Sequence, residues 1–144
     1  MLVNILIAGI LVVATVAIHA AGFSLLIRGI MRSHALAKSG FRSVTWVVIV
    51  LACWLILIHW VEISGWGLFY LWRGFMPDAE SAFYFSGTTY TTVGYGDNVL
   101  TKPLRMLAPL EALTGILMCG LSTGLFFAVV NRWIGNWLKR KTAE

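Results

Sequence analysis

From Leu2 to Ile27 the chain carries no acidic or basic residue apart from His19, its apolar residues interrupted otherwise only by Asn4, Thr15 and Ser24 and by glycines. At about 1.5 Å of rise per residue this run exceeds the ~30 Å hydrocarbon thickness of a bilayer, so it predicts a membrane-spanning helix. A cleaved leader is a poorer reading: no basic residue precedes the run, and it ends in Arg28 and Arg32 rather than at a small-residue cleavage site. A second span begins near Ser43 and includes the charge-free stretch from Trp46 to Leu57. Its outer end lies between Gly65 and Trp72, where Trp60, Trp66, Phe69, Tyr70 and Trp72 are expected to form an interfacial aromatic belt. A third apolar run extends from Leu104 to about Trp133, interrupted by Pro109 and Glu111.

Between the second and third runs, FMPDAESAFYFSGTTYTTVGYGDNVLTKP holds too many threonines and glycines to be a span, yet membrane flanks it on both sides. Irregular backbone is tolerated at membrane depth only where protein buries it or where it lines a water-filled cavity. The segment therefore predicts a re-entrant helix followed by a loop, with Asp78 as N-cap after Pro77 and an end near Tyr90.

Composition agrees with lipid as part of the solvent: 59% of the 144 residues are hydrophobic, 12% are charged, and mean hydropathy is +0.83. A net charge of +5 does not indicate a nucleic-acid partner, because the basic residues sit at the ends of apolar runs. Arg28, Arg32, Lys38 and Arg42 form one cluster and Arg132, Lys139, Arg140 and Lys141 another. The positive-inside rule puts both in the cytoplasm, which with three spans leaves the N-terminus outside and the C-terminus inside the cell membrane. Cys53 and Cys119 lie inside apolar runs, where they read as buried small hydrophobes rather than as a disulfide or metal framework.

The chemistry is concentrated in residues 91–97, TTVGYGD. Rings of backbone carbonyls can replace the hydration shell of a potassium ion without adding net charge. Pointing successive carbonyls to one side requires alternation between ordinary and mirror-image backbone regions, and glycine reaches the latter at no steric cost. Gly94 and Gly96 alternate with Val93 and Tyr95 in this way, so the carbonyls of Thr92, Val93, Gly94 and Tyr95 are the expected potassium ligands, with the Thr92 hydroxyl adding the innermost ring.

TTVGYGD resembles the filter signature of the potassium channel superfamily, and the context is similar to small prokaryotic channels of the two-helix pore type. The resemblance covers about residues 43–134 as a pore domain of outer helix, pore helix, filter (Thr92, Val93, Gly94, Tyr95, Gly96) and inner helix. Residues 1–30 form an additional N-terminal helix, 31–42 a basic cytoplasmic loop and 135–144 a short basic tail. The implied fold is an all-α membrane protein with three transmembrane helices per subunit, assembled as a homotetramer because each chain carries one filter copy. The implied activity is passive potassium conduction, with no cofactor beyond the transported ion and no enzyme chemistry.

As the resemblance has it, Thr88 stands four positions before the filter threonine, where relatives brace the filter from behind, and Tyr84 and Phe85 replace an aromatic pair that stiffens it. Thr91 and Asp97 complete the support at its two ends. On the inner helix Gly115 occupies the place of a hinge, and Gly120-Leu-Ser-Thr-Gly124 permits close helix approach. Ile116, Cys119, Thr123 and Phe127 share a face that would line the cavity down to a constriction near Phe127 and Asn131.

Glu111 is about seven residues, roughly 10 Å, into the last run, and either braces the filter or senses pH, or else bonds near the outer interface to Arg105. His59 and Glu62, three apart, are expected to mark the interface, and His19 to be a satisfied packing residue. A non-selective pore is disfavoured by the intact Tyr95, and a potassium transporter subunit by the lack of repeated filter segments. A non-conducting partner is a third alternative. The first helix lacks the basic repeat of a voltage sensor, which leaves a regulatory partner, lipid, pH or the filter itself to control opening.

Overall fold

The computed structural model describes residues 2–32 and 41–141. Four helices occur in them, α1 (Leu2–Arg32), α2 (Phe41–Trp72), α3 (Ala79–Tyr90) and α4 (Leu107–Lys141), with no strand among the described residues. Within α1, α2 and α4, segments Leu6–Arg32, Thr45–Trp72 and Leu107–Gly135 are long and apolar enough to cross a membrane. In lipid, helices this rich in valine and isoleucine persist because every backbone group must be satisfied internally. The architecture is all-α. Most of the basic loop, including Lys38, lies outside the described residues, as do the last three residues of the tail, whose preceding part continues α4.

Local chemistry sets the ends that position the loop. Helix α2 does not stop at Gly65 but runs to Trp72, where a Schellman closure terminates it: Phe75 N–H donates to Tyr70 O at 2.9 Å and Gly74 N–H to Leu71 O at 3.0 Å. Gly74 supplies the left-handed residue this closure needs, at φ 65°. The Phe75 ring then packs edge-on against Phe69 at 5.8 Å. Helix α3 opens as expected, with the Asp78 carboxylate accepting from Ser81 N–H at 2.8 Å. Helix α4 starts at Leu107, which leaves Pro109 in the first turn, where its missing N–H costs nothing. Glu111 is thus four residues into the helix, about 6 Å by helical rise, shallower than the apolar run suggests.

The packed interior divides into two apolar clusters. Trp66, Phe69, Tyr70, Met76, Phe85, Leu100 and Leu107 pack at the end of the bundle where α2 gives way to α3, with Ala8 of α1. Leu26, Leu51, Leu55 and Ile58 pack nearer the basic end, flanked by Phe23, Leu125 and Phe126. Trp66, Phe69 and Tyr70 are therefore core residues rather than belt residues, because α2 carries this face over α3, while Trp60 and Trp72 stay exposed. Lipid tails are as apolar as leucine, so helix association rests on close packing and interhelical hydrogen bonds averaging about 0.6 kcal/mol each. Among the bonds that seat helix α1 are those from Trp66 Nε1 to Thr15 Oγ1 at 3.1 Å and from Trp54 Nε1 to Gly22 O at 3.0 Å.

Candidate functional site

Past Tyr90 the chain leaves α3 through a tight cap. Thr91 N–H donates to Gly87 O at 3.1 Å, its hydroxyl donates to the same carbonyl at 2.6 Å, and Thr92 N–H donates to Thr89 O at 3.0 Å. The backbone then enters the left-handed region at every second residue: Thr92 at φ 62°, Gly94 at 52° and Gly96 at 82°. The two glycines match the sequence expectation. Thr92 extends the alternation to a β-branched residue, for which such a conformation costs about 1–2 kcal/mol, and residue type alone carried no signal of it. Thr91 to Asp97 are all exposed on the single chain.

Support for this segment differs in detail from expectation. Thr88 braces it through its backbone, Gly94 N–H donating to Thr88 O at 3.0 Å, while its hydroxyl turns back to Phe85 O at 3.1 Å. A threonine hydroxyl on a helix reaches its own preceding turn more easily than a neighbouring loop. Tyr84 and Phe85 make different contacts within the chain. Tyr84 donates to Asp97 Oδ2 at 2.8 Å and ties the far end of the loop to α3, whereas Phe85 is buried against Tyr70, the rings meeting edge to face at 5.1 Å. Consecutive residues point about 100° apart on a helix, which here turns the two toward different partners.

Behind the loop, Glu111 is 0% exposed and joins three helices. Its Oε2 accepts from Tyr70 of α2 at 2.7 Å, and its Oε1 lies 2.6 Å from Ser86 Oγ of α3. Ser86 is also 2.9 Å from Ile63 O, so its hydroxyl bridges α2 and α4. Arg105 stays exposed, and the expected outer-interface pairing gives way to this internal one.

A second polar group lies one layer further in, where His59 and Glu62 depart from the interfacial placement. Glu62 is 1% exposed, its Oε1 2.7 Å from His19 Nδ1, and its Oε2 accepts the hydroxyl proton of Tyr90. His59 Nδ1 lies 2.9 Å from the Tyr90 oxygen and His59 Nε2 lies 3.0 Å from Ser122 Oγ, which is also 3.4 Å from His19 Nε2. These residues come from α1, α2, α3 and α4, and Tyr90 is the last residue before the loop. His19 is satisfied, as expected, but by partners far away in sequence, the Glu62 carboxylate and the Ser122 hydroxyl. Ser122 offered no sequence signal.

The residues from Val48 to Arg132, more than half of the chain, match the sequence model of a family described as ion channel. The chain belongs to the ion channel family. Comparisons with curated proteins and with solved structures found no match. As an ion channel it is a multi-pass membrane protein whose matched portion takes in most of α2, all of α3 and the loop, and most of α4, while α1 lies ahead of it.

Helix α4 of this ion channel has two distinct faces. Glu111, Thr114, Gly115, Met118 and Ser122 are buried, and a Cβ on Gly115 would stand 2.0 Å from Tyr90 O, so close approach requires glycine there without any appeal to bending. Ile116, Cys119, Gly120, Thr123 and Phe127 are exposed on the other side, as is Asn131 below them. Cys53 and Cys119 are thus surface residues of the chain rather than buried ones, because each falls on the lipid- or neighbour-facing side of its helix.

Proposed function

We propose that four copies of this chain surround one pore and conduct potassium ions selectively and passively across the cell membrane. The observation that carries this reading is the left-handed backbone at Thr92, Gly94 and Gly96 within TTVGYGD. Alternation of this kind turns successive carbonyls to one side, and four such strands stack rings of oxygens that replace the hydration shell. Thr92, Val93, Gly94 and Tyr95 provide these rings, with Gly96 closing the filter.

The fourfold assembly rests on two features, the single filter segment per chain and its exposure in isolation. The exposed face of α4 then lines the cavity through Ile116, Cys119, Thr123 and Phe127, with Phe127 and Asn131 nearest the cytoplasmic mouth. Gly120 and Gly124, against which a Cβ would meet nothing within 4 Å in the single chain, suit contact with a neighbouring copy. The C-terminal end of α3 points its partial negative charge toward the cavity, where it favours a cation. The N-terminus faces outward and the basic ends face the cytoplasm.

Reconstitution tests the reading. Purified protein in vesicles loaded with potassium should release it down its gradient while equivalent sodium-loaded vesicles do not, and native mass spectrometry of the same preparation should give four chains. Equal release of the two cations, or an active preparation holding one or two chains, would overturn it.

A further inference from the structure

We propose that His19, His59 and Glu62 form a binding site for a divalent transition-metal ion, for which zinc is the natural probe. One candidate ligand atom from each residue lies within 4.8 Å of the others, and the group sits in the interior where α1 meets α2. Tetrahedral zinc with bonds of about 2.0–2.1 Å separates its ligands by roughly 3.3 Å, so the widest pair needs to close by at most about 1.5 Å. Two imidazoles and a carboxylate are a zinc-type donor set, whereas calcium and magnesium want oxygen ligands throughout.

The orientation of the rings carries the argument further. Both histidines turn Nε2 toward one hydroxyl, Ser122 Oγ, at 3.0 Å for His59 and 3.4 Å for His19. A serine oxygen has two lone pairs and can accept from both. Both Nδ1 atoms meanwhile face the Glu62 carboxylate at 2.7 and 3.3 Å; a carboxylate only accepts, so a metal ion bound at Nδ1 takes the place of the proton shared there, while each Nε2 keeps its proton and its contact with Ser122. Outer partners of this sort are what fix the tautomer of metal-bound histidine. Tyr90 supplies a further oxygen beside Glu62 and His59 Nδ1, available as a fourth ligand or as a hydrogen-bond donor to the carboxylate.

Binding would replace the hydrogen bonds among the three residues with coordination and release whatever protons their ligand atoms carry. The bound ion would pin α1, which precedes the matched channel region, to α2, and through Tyr90 to the residue from which the loop springs. None of this depends on which ion the pore conducts, so its failure and that of the conduction reading are separable.

The test uses full-length protein in lipid nanodiscs, in a Cys53→Ser, Cys119→Ser background, stripped with chelator and then titrated with zinc alone. One zinc per chain should survive dialysis, with affinity falling at least tenfold in His19→Gln and in His59→Gln and unchanged in His34→Ala. Because the glutamine variants risk disturbing the packing, cobalt is loaded into the protein with His19 and His59 intact. A strong visible absorption, as four-coordinate cobalt gives, supports the site, and the weak absorption of a six-coordinate ion opposes it. Zinc binding that is absent, is equal in the glutamine variants, or is matched by magnesium would overturn the proposal.

Discussion

Ser86 Oγ lies 2.6 Å from Glu111 Oε1, so the middle of α3 is held to the second turn of α4 directly behind the loop. With Tyr70 on the other carboxylate oxygen, this single side chain sets the spacing of α2, α3 and α4. Glu111→Gln should keep both contacts, the amide carbonyl accepting from Tyr70 and its NH2 donating to Ser86, whose own proton goes to Ile63 O. Glu111→Ala should leave the Tyr70 hydroxyl unpaired, at a cost of about 1–3 kcal/mol. Thermal unfolding of the reconstituted protein should therefore rank parent and Gln close together and Ala well below. Equal melting of the two variants would remove Glu111 from the bracing role.

Tyr84 and Asp97 make the corresponding link at the far end of the loop, but in the open. The hydrogen bond to Asp97 is the leading cause that pushes the Tyr84 phenol above its ordinary value. The contact is accordingly intact below the usual tyrosine range of about pH 10 and is lost only as pH rises through the higher folded-state value. Tyr84→Phe should scarcely move the melting temperature, since an exposed hydrogen bond contributes about 1 kcal/mol or less. Its effect should appear as faster decay of sustained current at neutral pH, and an unaltered time course would show that the link does not restrain the loop.

Gly115 and Gly120 set close packing within the chain against the proposed packing between chains. A Cβ on Gly115 meets Tyr90 O at 2.0 Å, and one on Gly120 meets nothing within 4 Å. Gly115→Ala should destabilise the fold by about 1–3 kcal/mol, as overpacking does. Gly120→Ala should leave the fold of a chain alone and act only on assembly, read as a lower proportion of tetramer in native mass spectrometry. A mild Gly115→Ala and a misfolded Gly120→Ala would reverse this assignment.

Orientation is open to labelling. In a background lacking Cys53 and Cys119, a cysteine introduced at Val3 should react with an impermeant thiol reagent added outside intact cells. Reaction only after the membrane is broken would place that end inside.

Much of this was legible in the residues. Charge-free runs located the spans, Pro77 and Asp78 located the start of α3, and TTVGYGD located the glycine alternation, because each depends on neighbours in sequence. The end of α2 was also written locally, in Gly74, but the aromatic run before it masked the signal by suiting either a belt or a core. The polar layer was not legible. His19 and Glu62 are 43 residues apart and Ser122 is a further helix away, so their meeting depends on how α1 packs, which no local pattern encodes. Splitting Tyr84 from Phe85 likewise needed the position of Tyr70 across the helix interface.

The most direct test of the central reading is the reversal potential of currents through the purified channel with potassium on one side of a planar bilayer and sodium on the other. The account predicts a reversal potential that follows the potassium gradient, and a Gly94→Ala variant, which forces a side chain onto a residue at φ 52°, should lose that selectivity or the current itself. A parent current reversing near zero under these conditions, with potassium and sodium equally permeant, would contradict it.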